Sequence, residues 1–334
     1  MNNSVISLDI AKNIFHMYTF VEDKPIKKKL RRAELLAFFA NYPTSLIGIE
    51  AYGSAHHWAR ELTKLGHEVI LLNTRFVKSF VIGNKNDFND AAAIFDAVTR
   101  PNRRIAAIKT IEQQDIQLVH NIRQGLVGNR TALVNQIRGL LSERGIIIPQ
   151  GINRVREQLT LILEDAENDL TALSREVFAE QYENLRALDD EIKEQDRRIS
   201  RLCNNNELSK RFLEVPGIGP MTASIIASDI GNGKGYPSSR DYAASLGVVP
   251  RQHSSGGKFV YLGISKRGNK YIRTLLIHGA RSVLKNSGES LLLRKLILGI
   301  QAQVRGKSLT GLIKICDALI RPASTYKNPR GVFI

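Results

Sequence analysis

Val5-Ile6-Ser7-Leu8-Asp9-Ile10, followed after a short polar break by Ile14-Phe15-His16-Met17-Tyr18-Thr19-Phe20-Val21, decides the fold class of the amino-terminal region. Both runs are rich in β-branched and aromatic residues, so they read as adjacent strands. Asp23-Lys24-Pro25 supplies a turn, and a third, basic strand is expected over 26–31. Residues 33–41 read as helix and Leu46-Ile47-Gly48-Ile49-Glu50 as a short buried strand. An amphipathic helix over 54–65 ends at Gly66, and His67 to Leu72 make another strand. Three strands in succession, then strand–helix alternation, predict a mixed α/β sheet with helices on its faces.

From about Ile111 the pattern changes to long helices. Leu126, Leu133 and Leu140 fall seven apart, with Val119 one step earlier, and Leu185, Leu188, Ile192, Ile199 and Leu202 form a second stripe. Charged residues fill the other faces, a coiled-coil or helical-hairpin signature. Asn204-Asn205-Asn206 marks a break before a last, mostly helical region joined by glycine turns. The expected domains are therefore 1–110, 111–206 and 207–334.

The 334-residue chain carries 48 Lys and Arg against 32 Asp and Glu, a formal net charge of +16. Such a surplus favours a polyanionic partner, a nucleic acid or an anionic membrane. No apolar stretch approaches the roughly 20 residues that span a bilayer. Asp9 and Lys12 also interrupt what would be the apolar core of a secretion signal. Nucleic acid is the expected partner and the cytoplasm the expected compartment. Cys203 and Cys316 lie far apart, which excludes a cysteine-based zinc site.

Four carboxylates stand in positions suited to a cation. Asp9 lies mid-strand among apolar residues, where an unpaired charge is costly. Glu50 ends the second buried strand. Asp87 and Asp90, three apart, project from one face of the first turn of a helix beginning near Ala91. Hard divalent ions such as Mg²⁺ or Mn²⁺ take oxygen ligands of this kind and activate phosphodiester chemistry. The plain alternatives are Asp87 as a helix N-cap, Asp90 as a first-turn acid and Glu50 as an ordinary strand-end residue.

Two further motifs bear on nucleic acid. Val215-Pro216-Gly217-Ile218-Gly219-Pro220 matches the hairpin of helix-hairpin-helix modules, in which Gly217 and Gly219 allow close approach to a phosphate. A plain helix–helix turn is the alternative. Beyond it, Tyr242 to Gly288 contains no Asp or Glu, while Arg251, Lys258, Lys266, Arg267, Lys270 and Arg273 supply positive charge. Inside this stretch, His253-Ser254-Ser255-Gly256-Gly257 reads as a serine-glycine loop. It is either a catalytic nucleophile surrounded by cations or a turn in a phosphate-binding surface.

Leu8-Asp9-Ile10-Ala11-Lys12-Asn13, Gly48-Ile49-Glu50-Ala51, Gly83 through Asp90, Pro216-Gly217-Ile218-Gly219 and Pro250 through Lys258 together resemble the DEDD transposases of bacterial insertion sequences. The Piv-type site-specific DNA invertases belong to the same family. The resemblance runs in order from about residue 4 to residue 285. It implies a RuvC-like, ribonuclease-H-type first domain with metal held by Asp9, Glu50, Asp87 and Asp90. It also implies that Ser255, with Ser254 the neighbouring alternative, attacks the DNA backbone and forms a phosphoserine link. By the same resemblance a partner subunit's acids are expected to complete the site, the helical middle to serve as a dimerisation arm, and a tetramer to form at synapsis. Family transposases are guided by a structured bridge RNA, whereas invertase relatives act on inversion sites. Residues 289–334 do not match the family pattern. The competing functions are a metal-dependent junction-type nuclease using water, and an inactive nucleic-acid-binding relative.

Overall fold

The computed structural model describes residues 4–286, except Asn84, Lys85, Asn102, Arg104, Asn232, Lys234, Pro237, Gly256 and Gly257, and leaves out side chains at 254–255, 258–261 and 284–286. The tail 289–334 lies outside the described residues. Two compact units divide the chain, residues 1–111 and 112–334.

In the first unit β1 (Ser4–Ile10), β2 (Ile14–Val21) and β3 (Lys24–Arg31) form an antiparallel meander. Then follow α1 (Leu35–Ala40), β4 (Ser45–Glu50), α2 (Ala55–Lys64), β5 (Glu68–Leu72), α3 (Thr74–Lys78), α4 (Asp87–Thr99) and β6 (Ile105–Ala106). The six-stranded sheet has the order β3-β2-β1-β4-β5-β6, with β1–β4 and β4–β5 parallel and β6 antiparallel to β5. The mixed α/β expectation is met. The short α3 and the two-residue β6 go beyond it.

Strand alternation separates two cores. Ile6, Leu8, Phe15, Met17, Ile47 and Ile49 pack with Leu35, Phe39, Trp58 and Leu62 of α1 and α2. The opposite face carries Val5, Leu46, Ile70 and Leu72 against Ala93, Ile94, Ala97 and Val98 of α4. Ser7 ties α4 down directly, its hydroxyl donating to the Ala91 carbonyl at 2.6 Å. Asp9 and Glu50 follow the same alternation and therefore belong to the α4 face, near the carboxyl ends of β1 and β4.

The second unit begins with α5 (Ile111–Ser142), α6 (Ile152–Glu164) and α7 (Ala172–Asn204). Arg123 of α5 pairs with Asp196 of α7, and Arg130 with Asp189, so seven-residue steps run in opposite directions along the two helices. The helices are antiparallel. Arg156 of α6 joins the same Asp189 carboxylate at 2.6 Å. On α7 the expected stripe is buried at Leu185, Ile192 and Ile199. On α5 the buried positions are Ile116, His120, Val134, Ile137 and Leu141, while Leu140 stays 48% exposed. The seven-residue repeat is there, but its buried face lies one residue further on than Val119, Leu126, Leu133 and Leu140. A polar residue at one buried step, His120, hides that face from a hydrophobic pattern.

His120 is buried because both ring nitrogens are satisfied, one by Ser224 Oγ at 3.0 Å and the other by Tyr271 Oη at 2.9 Å. Burial first, and Arg123 second, push its pKa down to about 4. Between about pH 6.5 and 4 the unfolded chain then binds a proton that the fold refuses, so stability should fall as pH drops through that window. In His120→Gln the thermal midpoint of this unit should lose about one proton's worth of that slope, measured by calorimetry across pH 4–7.

Beyond α7 lie α8 (Glu207–Leu213), α9 (Pro220–Ile230), α10 (Ser239–Leu246), a hairpin of β7 (Pro250–Ser255) and β8 (Lys258–Ile264), and α11 (Lys270–Asn286). Their core gathers Phe212, Ile226, Ile230, Tyr242, Leu246, Ile272 and Leu276, with Cys203 of α7 buried among them. The serine-glycine segment is thus not a simple loop. Its two serines belong to the end of β7, paired with Phe259 and Lys258 of β8.

Candidate active site

Asp9 is placed by β1, and the β1–β2 register sets His16 directly across from it. Cross-strand partners share a sheet face, so His16 also lies on the α4 side. The first turn of α4 arrives over the same ends of the strands. Its N-cap is Asn86, whose side chain accepts from the Phe88 amide, and Asp87 is left free of the capping role. One ligand atom each from Asp9, His16 and Asp87 lies within 4.8 Å of the other two. Asp90 sits one turn along on the same helix face.

The electrostatics centre on the two strand acids, Asp9 and Glu50. Burial first, and then Asp90, Asp87 and Glu50, together raise the Asp9 pKa to about 6. Glu50 is raised by burial and by Asp90, and the Thr74 hydroxyl at the start of α3 partly offsets this. Carboxylates crowded together at the mouth of a sheet need a cation or a proton to balance them. Oxygen donors from two strands and one helix fit a divalent ion such as Mg²⁺ or Mn²⁺. The carboxyl ends of the strands are also where open α/β sheets ordinarily bind their ligands.

Positive charge borders this cluster. β3 is the edge strand, and Lys29 pairs with His16 while Lys27 pairs with Tyr18. Their ammonium groups stand 5.7 and 5.8 Å from the ring centre of Phe88, the residue after Asp87. Lys29, His16 and Asp9 therefore form one row across the sheet. An exposed basic edge leading to carboxylates suits a phosphate backbone arriving at a metal. Sequence reading recognised β3 as basic but missed His16 and Thr74. The available signal for His16 was the short break between β1 and β2, which fixes which residue falls opposite Asp9.

In the second unit the predicted nucleic-acid residues divide. Arg251, Lys266, Arg267 and Lys270 are exposed. Arg273 is not: it is 8% exposed and donates to the Leu246 carbonyl at 2.8 Å, tying α10 to α11. Its expected place on the basic surface is corrected to a buried helix-packing role. The Lys258 and Ser255 side chains, like Gly256 and Gly257, lie outside what is described.

Gly219 is the N-cap of α9 with Pro220 after it, and the space a Cβ would fill there is open. Gly217 differs. Its φ is +86°, and a Cβ would lie 2.7 Å from the Gly279 carbonyl oxygen of α11; the reverse approach, from Gly279 to Gly217 O, would be 2.1 Å. Packing alone therefore demands glycine at Gly217. Gly279→Ala should cost about 3 kcal/mol of stability in the second unit, read as a denaturant midpoint, with the first unit unaffected.

Comparison with known proteins gives matches along both units. A family model named for the DEDD transposases of IS110 matches residues 6–145, and one described as "Transposase IS116/IS110/IS902 family" matches residues 209–293. A Pseudomonas aeruginosa protein named "Probable family 20 transposase" is 41% identical over 288 residues, 85% of each chain. The y4pF/y4sB protein of Sinorhizobium fredii is 34% identical across 98% of this chain and 86% of its own, so the likeness extends into the tail. The pilin gene-inverting protein of Moraxella bovis is 27% identical over 83% of this chain and 81% of its own.

Proposed function

The chain belongs to the DEDD transposases of the IS110 family, enzymes that cut and join DNA, and from that premise we propose how its residues divide the chemistry. Asp9, Glu50, Asp87 and Asp90 hold one or two divalent ions, Mg²⁺ or Mn²⁺, and Ser255 is the nucleophile. The observation that carries this reading is the convergence at the strand ends, where the half-buried Asp9 of β1 and Asp87 of α4 come within 4.8 Å of each other, with Asp90, Asp87 and Glu50 all pushing the Asp9 pKa upward.

A bound divalent ion supplies charge neutralisation and Lewis acidity at the scissile phosphate. The residues do the rest. The four acids would hold the ion near the strand ends, two of them supplied by the first turn of α4. Ser255 Oγ bonds to phosphorus and gives up its proton, while the deoxyribose oxygen leaves and takes one. A phosphoserine link then holds the broken strand until the reverse step joins it to a new end. Arg251, Lys258, Lys266, Arg267 and Lys270 grip phosphates around the serine, and the α9 amino terminus with Gly219 adds amide donors. We take the acids and the serine to come from different subunits of a dimer, tetrameric at synapsis, with a bridge RNA naming the DNA sites.

Likeness to the pilin gene-inverting protein supports a second reading, inversion at fixed sites rather than transposition. A plasmid carrying the DNA that flanks this gene distinguishes them. Insertion of the element elsewhere, lost when the flanking non-coding stretch is deleted, is the expected result. Inversion of a resident segment without that stretch would favour the second reading. Absence of any rearrangement with Mg²⁺ and intact flanks would refute both.

A further inference from the structure

We propose that the His16 imidazole is itself a ligand of the metal site, adding a nitrogen donor to the acids and shifting the site's preference from Mg²⁺ toward Mn²⁺. The inference rests on the reading of the four acids as metal ligands and deepens it.

Geometry carries the assignment. His16 is 4% exposed, and its Nε2 lies 3.6 Å from Asp87 Oδ2. That separation is too long for a good hydrogen bond. It falls between the roughly 3.0 and 4.2 Å that separate adjacent and opposite ligands on an ion with bonds of about 2.1 Å. Among the described residues His16 makes no hydrogen bond, and its Nδ1 is buried without a partner. The ring nitrogen that faces the acids, Nε2, is therefore left with no hydrogen bond of its own, inside a side chain that is almost wholly buried. The ring cannot swing aside to find water, because Phe88 packs edge-on against it at 4.9 Å. Asp9 stands opposite it in the strand register. A cation shared by Asp9, Asp87 and His16 gives Nε2 a partner and relieves the repulsion between the two carboxylates.

A simple salt bridge with Asp87 is the competing explanation, and the donor chemistry distinguishes the two. Imidazole suits borderline first-row ions, whereas Mg²⁺ favours oxygen. The full-length protein is titrated with Mn²⁺ alone and examined by pulsed electron paramagnetic resonance, in the wild type, His16→Gln and Asp9→Asn. The expected result is a directly coordinated ¹⁴N coupling, converted to a ¹⁵N pattern by ¹⁵N-histidine labelling and lost in His16→Gln. The Mn²⁺-over-Mg²⁺ affinity ratio in that variant should fall about tenfold.

Should His16→Gln fail to fold, loss of the histidine coupling in Asp9→Asn still locates that nitrogen at the Asp9 site. Among the described residues His16 is the histidine grouped with Asp9 there. Mn²⁺ bound in an Asp9-dependent way with no nitrogen coupling would overturn the His16 assignment and leave the acid site standing. Mn²⁺ binding that ignores Asp9 would overturn the acid site itself, and this inference with it.

Discussion

Asp9→Asn is expected to abolish metal-dependent strand cleavage, by about 1,000-fold or more, while making the metal-free protein more resistant to heat. Loss of several kcal/mol of charge stabilisation at the reacting phosphate accounts for the first effect. The second follows from crowding. Asp9 ionises at about pH 6 because burial and three acids oppose its charge, so its ionisation is paid for in stability. Between about pH 3.8 and 6 the folded chain binds a proton that the unfolded chain has already released, and stability falls as pH rises through that window. Above it the whole cost is present, and a bound divalent ion offsets it by mass action. Asparagine carries no charge, so the variant should lose both the pH slope and the thermal shift on adding Mg²⁺. His56 shapes the remaining slope. Burial, Lys109 and Arg60 lower its pKa to about 4, giving the opposite sign over nearly the same range. In Asp9→Asn the stability of the first unit should therefore rise with pH from 4 to 6.5. Differential scanning calorimetry with and without Mg²⁺ tests each part.

Ser255→Ala is expected to eliminate strand joining and any covalent protein–DNA species while leaving DNA binding nearly unchanged. Affinity for a duplex comes mainly from cations, and exposed Arg251, Lys266, Arg267 and Lys270 are untouched by the substitution. Removal of a nucleophile lowers the rate by about 1,000-fold or more, since no weaker group replaces it. Ser254→Ala, one residue away on the same strand, should keep most of the joining activity. Binding measured at two salt concentrations, beside recombination on a paired-site plasmid, separates loss of chemistry from loss of grip.

Much of this was legible in the residues, and the illegible part has physical causes. The four acids stood out because charge interrupts or ends apolar strands at Asp9 and Glu50 and recurs three apart at a helix start at Asp87 and Asp90. The mixed α/β character of the sheet followed from three strands in a row and then strand–helix alternation. His16 was silent because an inward-facing histidine in a strand looks like any half-polar core position until the register puts it across from Asp9. The buried face of α5 was missed by one residue because His120 is kept inside by hydrogen bonds, not by hydrophobicity. Arg273 was counted as surface charge, although a guanidinium that reaches a helix-end carbonyl can be buried. The strand character of Pro250–Ser255 had no alternating apolar signal to announce it. Gly217 spelled a phosphate-binding turn, but its missing side chain makes room for α11.

The most direct test is mass spectrometry of the protein recovered from a reaction stopped in mid-course with Mg²⁺ and cognate DNA, then digested with nuclease and protease. A peptide containing Ser255 should carry a nucleotide remnant on its hydroxyl, and it should be absent from Asp9→Asn and from reactions with chelator. Metal-dependent cutting that leaves every strand end free of protein would show that water, not this serine, attacks the phosphate.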